Sequence, residues 1–334
     1  MKKTILILLL LVGANCFAQQ KLLTKKIVYT VNMTENKINS SQEKDSVSYH
    51  YIVNKRFFWE AMDDVLASIK NKKLYLSTFS GDTIVWDTMI SNLTKALNNL
   101  DMRKYSKKDI EKVLENEIRA VKFMEEWTYN PQTMLIDKKI VAYCPMIQRD
   151  SVTLGEEDLQ TKNFFSFDLG WIRQTNSKPS DDVLQISRNI QYTMPIYNQK
   201  PYHWWDNNLE AEYSIPFFEN LFAKTDSRAV LSYETPDAVE PFSLSDLEKR
   251  KKHSTTTSVF YVDKDGIETE KDTVITLTYN SDEVELLRFG EEVLYDKKSH
   301  AFIKNVNYYA PVIRIFSSDG QFIGFYPLYY IRKQ

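Results

Sequence analysis

Two glutamate doublets, Glu125-Glu126 and Glu291-Glu292, are the residues of this chain whose type and spacing come nearest to chemistry. A pair of carboxylates held close together can divide the roles of acid and base. Adjacent residues on a strand point to opposite faces, so neither doublet forms such a pair by itself. Cross-strand pairing to Lys138 and Lys304 accounts for them structurally. His50, His203, His253 and His300 are scattered without ligand spacing, so no zinc site is expected. Gly81, Gly155 and Gly266 stand alone, without a phosphate-cradling loop. There is no nucleophile elbow, and Cys144 beside Pro145 reads as strand packing. The expectation is a non-enzyme with no catalytic, cofactor-binding or metal-ligating residues and no small-molecule substrate.

Two other blocks could bind. Tyr202, Trp204 and Trp205, in the run Pro201-Tyr202-His203-Trp204-Trp205, could stack on a cell-wall glycan or fill a seam between modules. Lys249-Arg250-Lys251-Lys252-His253 reads as a solvated helix end, with an anion or partner site as the alternative. With 43 Lys and Arg against 45 Asp and Glu, the net charge of −2 argues against bulk nucleic-acid binding. Only 8 glycines and 10 prolines beside 13% aromatic residues describe packed modules, not linkers or disorder.

The elements that must position these residues are written twice. Residues 118–147 and 284–313 align without a gap at an offset of 166. Eight positions are identical: Phe123/Phe289, Glu125/Glu291, Glu126/Glu292, Tyr129/Tyr295, Lys138/Lys304, Tyr143/Tyr309, Pro145/Pro311 and Ile147/Ile313. Ordinary residue usage gives about 2 by chance. Flanking pieces recur in the same order: 65–76 parallels 221–232, 91–93 parallels 245–247, and 164–174 parallels 322–333. Such self-similarity marks a duplicated module.

Each copy reads as helix, short strand, helix and β-hairpin. Ile110, Val113, Leu114, Ile118 and Val121 recur at helical steps, which predicts a helix over 109–121 capped by Ser106. Asn130-Pro131 and Asp296-Lys297 are turn chemistry. On the returning strand of the second copy, Phe302, Val306 and Tyr308 share one parity, and Ile303, Asn305, Asn307 and Tyr309 the other. Pro145 and Pro311 are expected to stop ladder pairing, and both hairpins to follow a helix. Two apolar runs around 317–321 predict a further hairpin. The fold class is α+β: two tandem homologous modules, each with helices on a mainly antiparallel sheet and a prominent β-hairpin.

Residues 1–18 read as a secretory signal, with Lys2 and Lys3, an apolar run at 5–12, and Cys16-Phe17-Ala18 before a cut at Gln19. Cys16 raises lipid attachment as an alternative, though Asn15 fits that site poorly. Cleavage leaves Cys144 as the remaining cysteine and rules out an intrachain disulfide. The expected modules are 19–180 and 181–334, exported to the periplasm.

The pattern (K/R)-F-x-E-E-W-x-Y, a polar turn, and a strand ending near Cys144-Pro145 or Ala310-Pro311 resembles the core of the GldN/PorN family of gliding motility and type IX secretion. Trp127, Tyr129 and the run Tyr295-Asp296-Lys297-Lys298 stand where that family has its W-x-F-D-K-K element. This chain departs from the pattern: the family's glycine before the proline is absent in both copies, and Val293 replaces the tryptophan in the second. The family usually carries one such module and an arginine-rich tail not recognisable here. The resemblance implies a non-enzymatic periplasmic subunit, peripheral at the outer membrane. Its implied partners are an outer-membrane lipoprotein, with which it would pack into a ring, and a motor-type envelope protein; a homo-oligomer is a further expectation. The shared motif residues would serve structure or interface. A cell-wall or glycan-binding protein is the alternative.

Overall fold

Two curled antiparallel half-barrel sheets, flanked by helices, carry this mixed helix-and-sheet chain. The computed structural model describes residues 20–33, 53–101, 104–154, 160–174, 179–195, 209–262, 264–317 and 321–333. Residues 1–18, expected as a leader, and the block with Tyr202, Trp204 and Trp205 lie outside them.

The first half runs β1 (Lys21–Asn32), α1 (Lys55–Lys70), β2 (Leu76–Ser77), β3 (Thr83–Ile84), α2 (Trp86–Asp101) and α3 (Lys107–Glu117). It continues as β4 (Ile118–Tyr129), β5 (Ile136–Leu154), β6 (Gln160–Asp168) and β7 (Ile172–Arg173). The second half runs β8 (Val183–Pro195), α4 (Ala211–Asp226), α5 (Leu244–Arg250), β9 (Lys252–Val262) and β10 (Glu268–Thr278). After these come β11 (Val284–Asp296), β12 (Ala301–Phe316), β13 (Phe322–Pro327) and β14 (Ile331–Arg332). One sheet has the order β1-β4-β5-β6 with β7 also on β5; the other has β8-β11-β12-β13 with β14 also on β12.

The hairpins share their register. Phe123 lies opposite Tyr143 and Phe289 opposite Tyr309, and both hairpins carry a bulge one residue later. The extra residues are Val141 and Asn307. A bulge exchanges the faces beyond it. The simple parity expected for the second returning strand therefore fails at Asn307, and Phe302, Lys304 and Tyr309 are buried together. At the tips, the Asn130 side chain accepts from the Gln132 and Thr133 amides at 2.8 and 3.2 Å. Asp296 accepts from the Lys298 amide at 3.0 Å. Met134 (φ 58°) and His300 (φ 51°) close the two turns in the left-handed region.

Three expectations are corrected. The helix expected over 109–121 ends at Glu117, although Ser106 caps it in a full capping box. Ile118 and Val121 belong to β4, which is laddered on both sides by β1 and β5 and so has more backbone bonding as strand. The second hairpin follows a three-residue 3₁₀ turn at Ser281–Glu283 and the β9–β10 ribbon, not a helix. Pro145 and Pro311 do not end their strands. They sit where the outer neighbour changes, from β7 to β6 and from β14 to β13. A residue without an N–H fits that gap, and its carbonyl still accepts, from Leu169 at 3.1 Å and Leu328 at 2.9 Å.

The helices pack crosswise. Phe58, Ala61, Met62, Val65 and Ile69 form the buried stripe of α1, in the first half. This helix begins against β8 of the second sheet, where the Asn54 amide donates to Ile186 O at 2.7 Å. Helix α4, from the second half, packs on β1. One hydrophobic core spans both sheets, with Phe123 edge-on to Phe302 at 5.5 Å and Trp127 edge-on to Phe289 at 5.0 Å.

Candidate functional site

Glu125 and Glu291 keep the parity of Phe123 and Phe289 along β4 and β11, which carries them into the space between the sheets, where both are fully buried. Glu126 and Glu292, one residue on, are only half-buried. Lys138 and Lys304 are drawn in as well, but the pairing is crossed. Lys304 Nζ lies 2.9 Å from Glu125 Oε1, and Lys138 Nζ lies 2.6 Å from Glu291 Oε1. The pairing expected within each hairpin is present in the second as the longer contact of Lys304 Nζ with Glu291 Oε2 at 3.8 Å, and is otherwise corrected: in their own hairpins the two lysines lie opposite Trp127 and Val293.

Two tyrosines on β1 and β8 complete the cluster. Tyr29 OH and Trp127 Nε1–H each donate to Glu125 Oε2 at 2.6 Å. Lys138 donates to Tyr192 OH at 2.7 Å and Lys304 to Tyr29 OH at 2.8 Å, and the two hydroxyls are 2.8 Å apart. The lysines also sit against ring faces, Lys138 at 3.2 Å from the Phe289 centroid and Lys304 at 3.6 Å from that of Phe123. Neither Tyr29 nor Tyr192 was singled out in the sequence. A signal existed: Ile27-Val28-Tyr29-Thr30 and Ile190-Gln191-Tyr192-Thr193 share an Ile-x-Tyr-Thr pattern.

Electrostatics follow from burial. Burial pushes the Lys138 ammonium down to about 8, against the opposing pull of Glu291 and Glu125. Burial would raise Glu125. The Lys304 and Lys138 charges, with the bonds from Tyr29 and Trp127, outweigh it and hold the carboxyl below its usual range. Tyr29 and Tyr192 are raised well above the ordinary phenol, chiefly by burial. Two acids and two bases thus balance in a space closed to solvent. The side chains of both glutamates and both lysines have no exposed surface, so a substrate has no approach to them. The arrangement ties two sheets in register.

The remaining motif residues are core. Phe123, Trp127, Tyr129, Tyr143, Phe289, Tyr295 and Tyr309 are at most 2% exposed, and Pro145 and Pro311 are buried. They are therefore not surface contacts in this arrangement.

A second constellation has catalytic residue types. His300 Nδ1 lies 2.8 Å from Asp64 Oδ2, and its Nε2 3.4 Å from Ser68 Oγ. A serine beside a histidine held by an aspartate is a nucleophile arrangement by type. Ser68, however, is 4% exposed and lies in the last turn of α1, where its own carbonyl accepts from the Lys73 and Leu74 amides. A helix C-terminus presents carbonyls, which repel a developing oxyanion. The cluster works as a clamp instead. Tyr295 OH donates to Asp64 at 2.7 Å, Lys297 pairs with Glu60 at 3.0 Å, and Tyr143 OH donates to His300 O at 2.9 Å. The first hairpin tip is clamped in the same way against α4: Tyr309 OH donates to Met134 O at 2.7 Å, and Asn220 Nδ2 to Pro131 O at 3.5 Å.

On the surface, a cleft of about 710 Å³ lies between α5, the base of β9 and the β12–β13 hairpin. Glu240, Asp246, Lys249, Arg250 and His253 line it, with no single sign of charge. The basic run 249–253 is only partly a solvated helix end. Arg250 lies over Tyr326 and donates to Leu328 O at 3.1 Å, and buried Lys251 pairs with Asp226. Cys144 is fully buried, and burial pushes its thiol up to about 12. Among the described residues no group of three His, Cys, Asp or Glu side chains could hold a metal. Among the same residues no helix is long and apolar enough to cross a membrane. The chain matches no protein-family model and no curated protein.

Proposed function

We propose that the chain is a tandem duplication acting as a non-enzymatic periplasmic assembly component of a gliding-motility or type IX secretion envelope complex. In this reading it is a divergent, duplicated relative of the GldN/PorN family. The observation that carries the duplication is the repeated backbone irregularity. The bulges at Val141 and Asn307 and the turn residues Met134 and His300 keep the 166-residue offset of the aligned sequence. The helix-end residues Lys72 and Arg228, both with positive φ, keep the 156-residue offset of the flanking match. Irregularities of this kind follow descent better than chance, because each is a separate departure from regular structure.

The assembly role rests on the motif resemblance, the exported leader, and a charge cluster consumed internally by packing. Its partners are an outer-membrane lipoprotein and a motor-type envelope protein. Crosslinking in intact envelopes followed by purification tests it. Recovery with envelope proteins of these kinds is the expected outcome, and recovery as a lone periplasmic monomer removes the proposal. Retention on purified sacculi would favour the glycan-binding alternative.

A further inference from the structure

The β9–β10 ribbon belongs to neither half-barrel. Its strands pair with each other from Glu268 opposite Val262 to Thr278 opposite Lys252, without a register shift. At about 3.4 Å per residue such a ribbon is roughly 35 Å long. Of the described strands, β9 pairs with β10 alone. A two-stranded ribbon is marginal in water unless a third strand or a packed face supports it. Tyr261, Val262, Ile267, Val274 and Leu277, on the ribbon and its turn, are between 48% and 65% exposed.

The two edges differ in chemistry. β10 carries Glu268, Glu270, Lys271 and Asp272, the charged residues that usually guard an open edge. β9 from Ser254 to Val262 reads STTTSVFYV, with no charge, proline, glycine or bulge. This is a strand of high β-propensity whose outer row of N–H and C=O groups is unguarded. A partner strand that suits it is itself uncharged and β-prone. An antiparallel copy of the same segment meets that requirement. Pairing about a two-fold axis sets Ser, Thr, Val, Phe and Tyr against one another and opposes no like charges. It also leaves the acidic β10 strands on the two outer edges, far apart.

We infer that the ribbon is a dimerisation arm, and that β9 pairs antiparallel with β9 of a second copy to give a four-stranded sheet, β10-β9-β9-β10. This inference is independent of the envelope role, because it needs only the edge of β9 that no described strand pairs.

Sedimentation equilibrium of the mature chain over a range of concentrations tests it. Three proteins are compared: wild type, the double variant Thr256→Lys/Ser258→Lys on β9, and the double variant Thr276→Lys/Thr278→Lys on β10. All four positions are exposed, each double variant removes one cross-strand hydroxyl bond (Ser258 to Asp272, Thr276 to Ser254), and circular dichroism checks that the fold is kept. The expected result is a wild-type dimer whose dissociation constant rises at least about tenfold in the β9 variant and by less than about twofold in the β10 variant. A wild-type monomer across the range overturns the inference. So does a dimer unaffected by the β9 lysines, or one broken by the β10 lysines instead.

Discussion

Glu125, on the first sheet, bonds Lys304, on the second, at 2.9 Å, with no exposed side-chain surface on either. The mirrored contact between Lys138 and Glu291 is 2.6 Å. Buried pairs of this kind gain little net stability over apolar packing, but removing one partner strands a charge. The two contacts therefore set which face of each sheet meets the other more than they add to total stability.

A double-mutant cycle checks the crossing. Glu125→Gln and Lys304→Met should each destabilise the chain by about 3–5 kcal/mol. Their coupling should be on the order of 1–3 kcal/mol by urea denaturation. The cycle with Lys138→Met in place of Lys304→Met should couple more weakly. A stronger coupling to Lys138 would mean that the pairs close within hairpins.

Gly290 gives a packing prediction. A Cβ there would stand 2.0 Å from Tyr308 Cζ, because that ring lies over the bare backbone. Gly290→Ala should cost about 1–3 kcal/mol, and Tyr308→Ala in the same chain should recover part of it. The first hairpin has Met124 opposite Ala142 at the matching place, with the large and small residues exchanged. Two additive losses would show that the ring does not hold that position in solution.

Acid stability should report on Asp296. Burial would raise its carboxyl, but hydrogen bonds from the Ser180 side chain and amide, Ser299 and the Lys298 amide outweigh this and hold it at about 2. A folded value below the unfolded 3.8 means that the contribution is complete above the unfolded value. It is lost as pH falls from there towards 2. Asp296→Asn should be less stable than wild type by on the order of 1–2 kcal/mol at neutral pH. The gap should close by pH 2, measured as urea midpoints across the series. A gap independent of pH would remove the ionised carboxylate from the account.

Local features were readable and long-range ones were not. Ser106 and Asp109 announce the cap of α3 because both halves of that box lie within one turn. The end of the same helix was misplaced because Ile118 and Val121 satisfy helical spacing and are buried in β4 as well, where a bulge breaks strict alternation. Parity reasoning placed Glu125 and Glu126 on opposite faces, but it cannot see across a bulge, so the faces around Asn307 came out reversed. The crossed partners are invisible locally, since a hairpin offers its own lysine first. The ribbon is hard to read because its apolar residues do not alternate and residues 254–258 of β9 are all Ser and Thr.

The central structural claim is that the two half-barrels are one body, with each hairpin tip and the helices α1 and α4 seated on the other half. Denaturation of residues 19–180 and 181–334, expressed separately and then mixed, tests it most directly. Each half alone should show no cooperative transition, and the chain of residues 19–334 a single one that coincides by fluorescence and circular dichroism. A half that unfolds cooperatively alone, with a midpoint like that of the whole chain, would contradict the account.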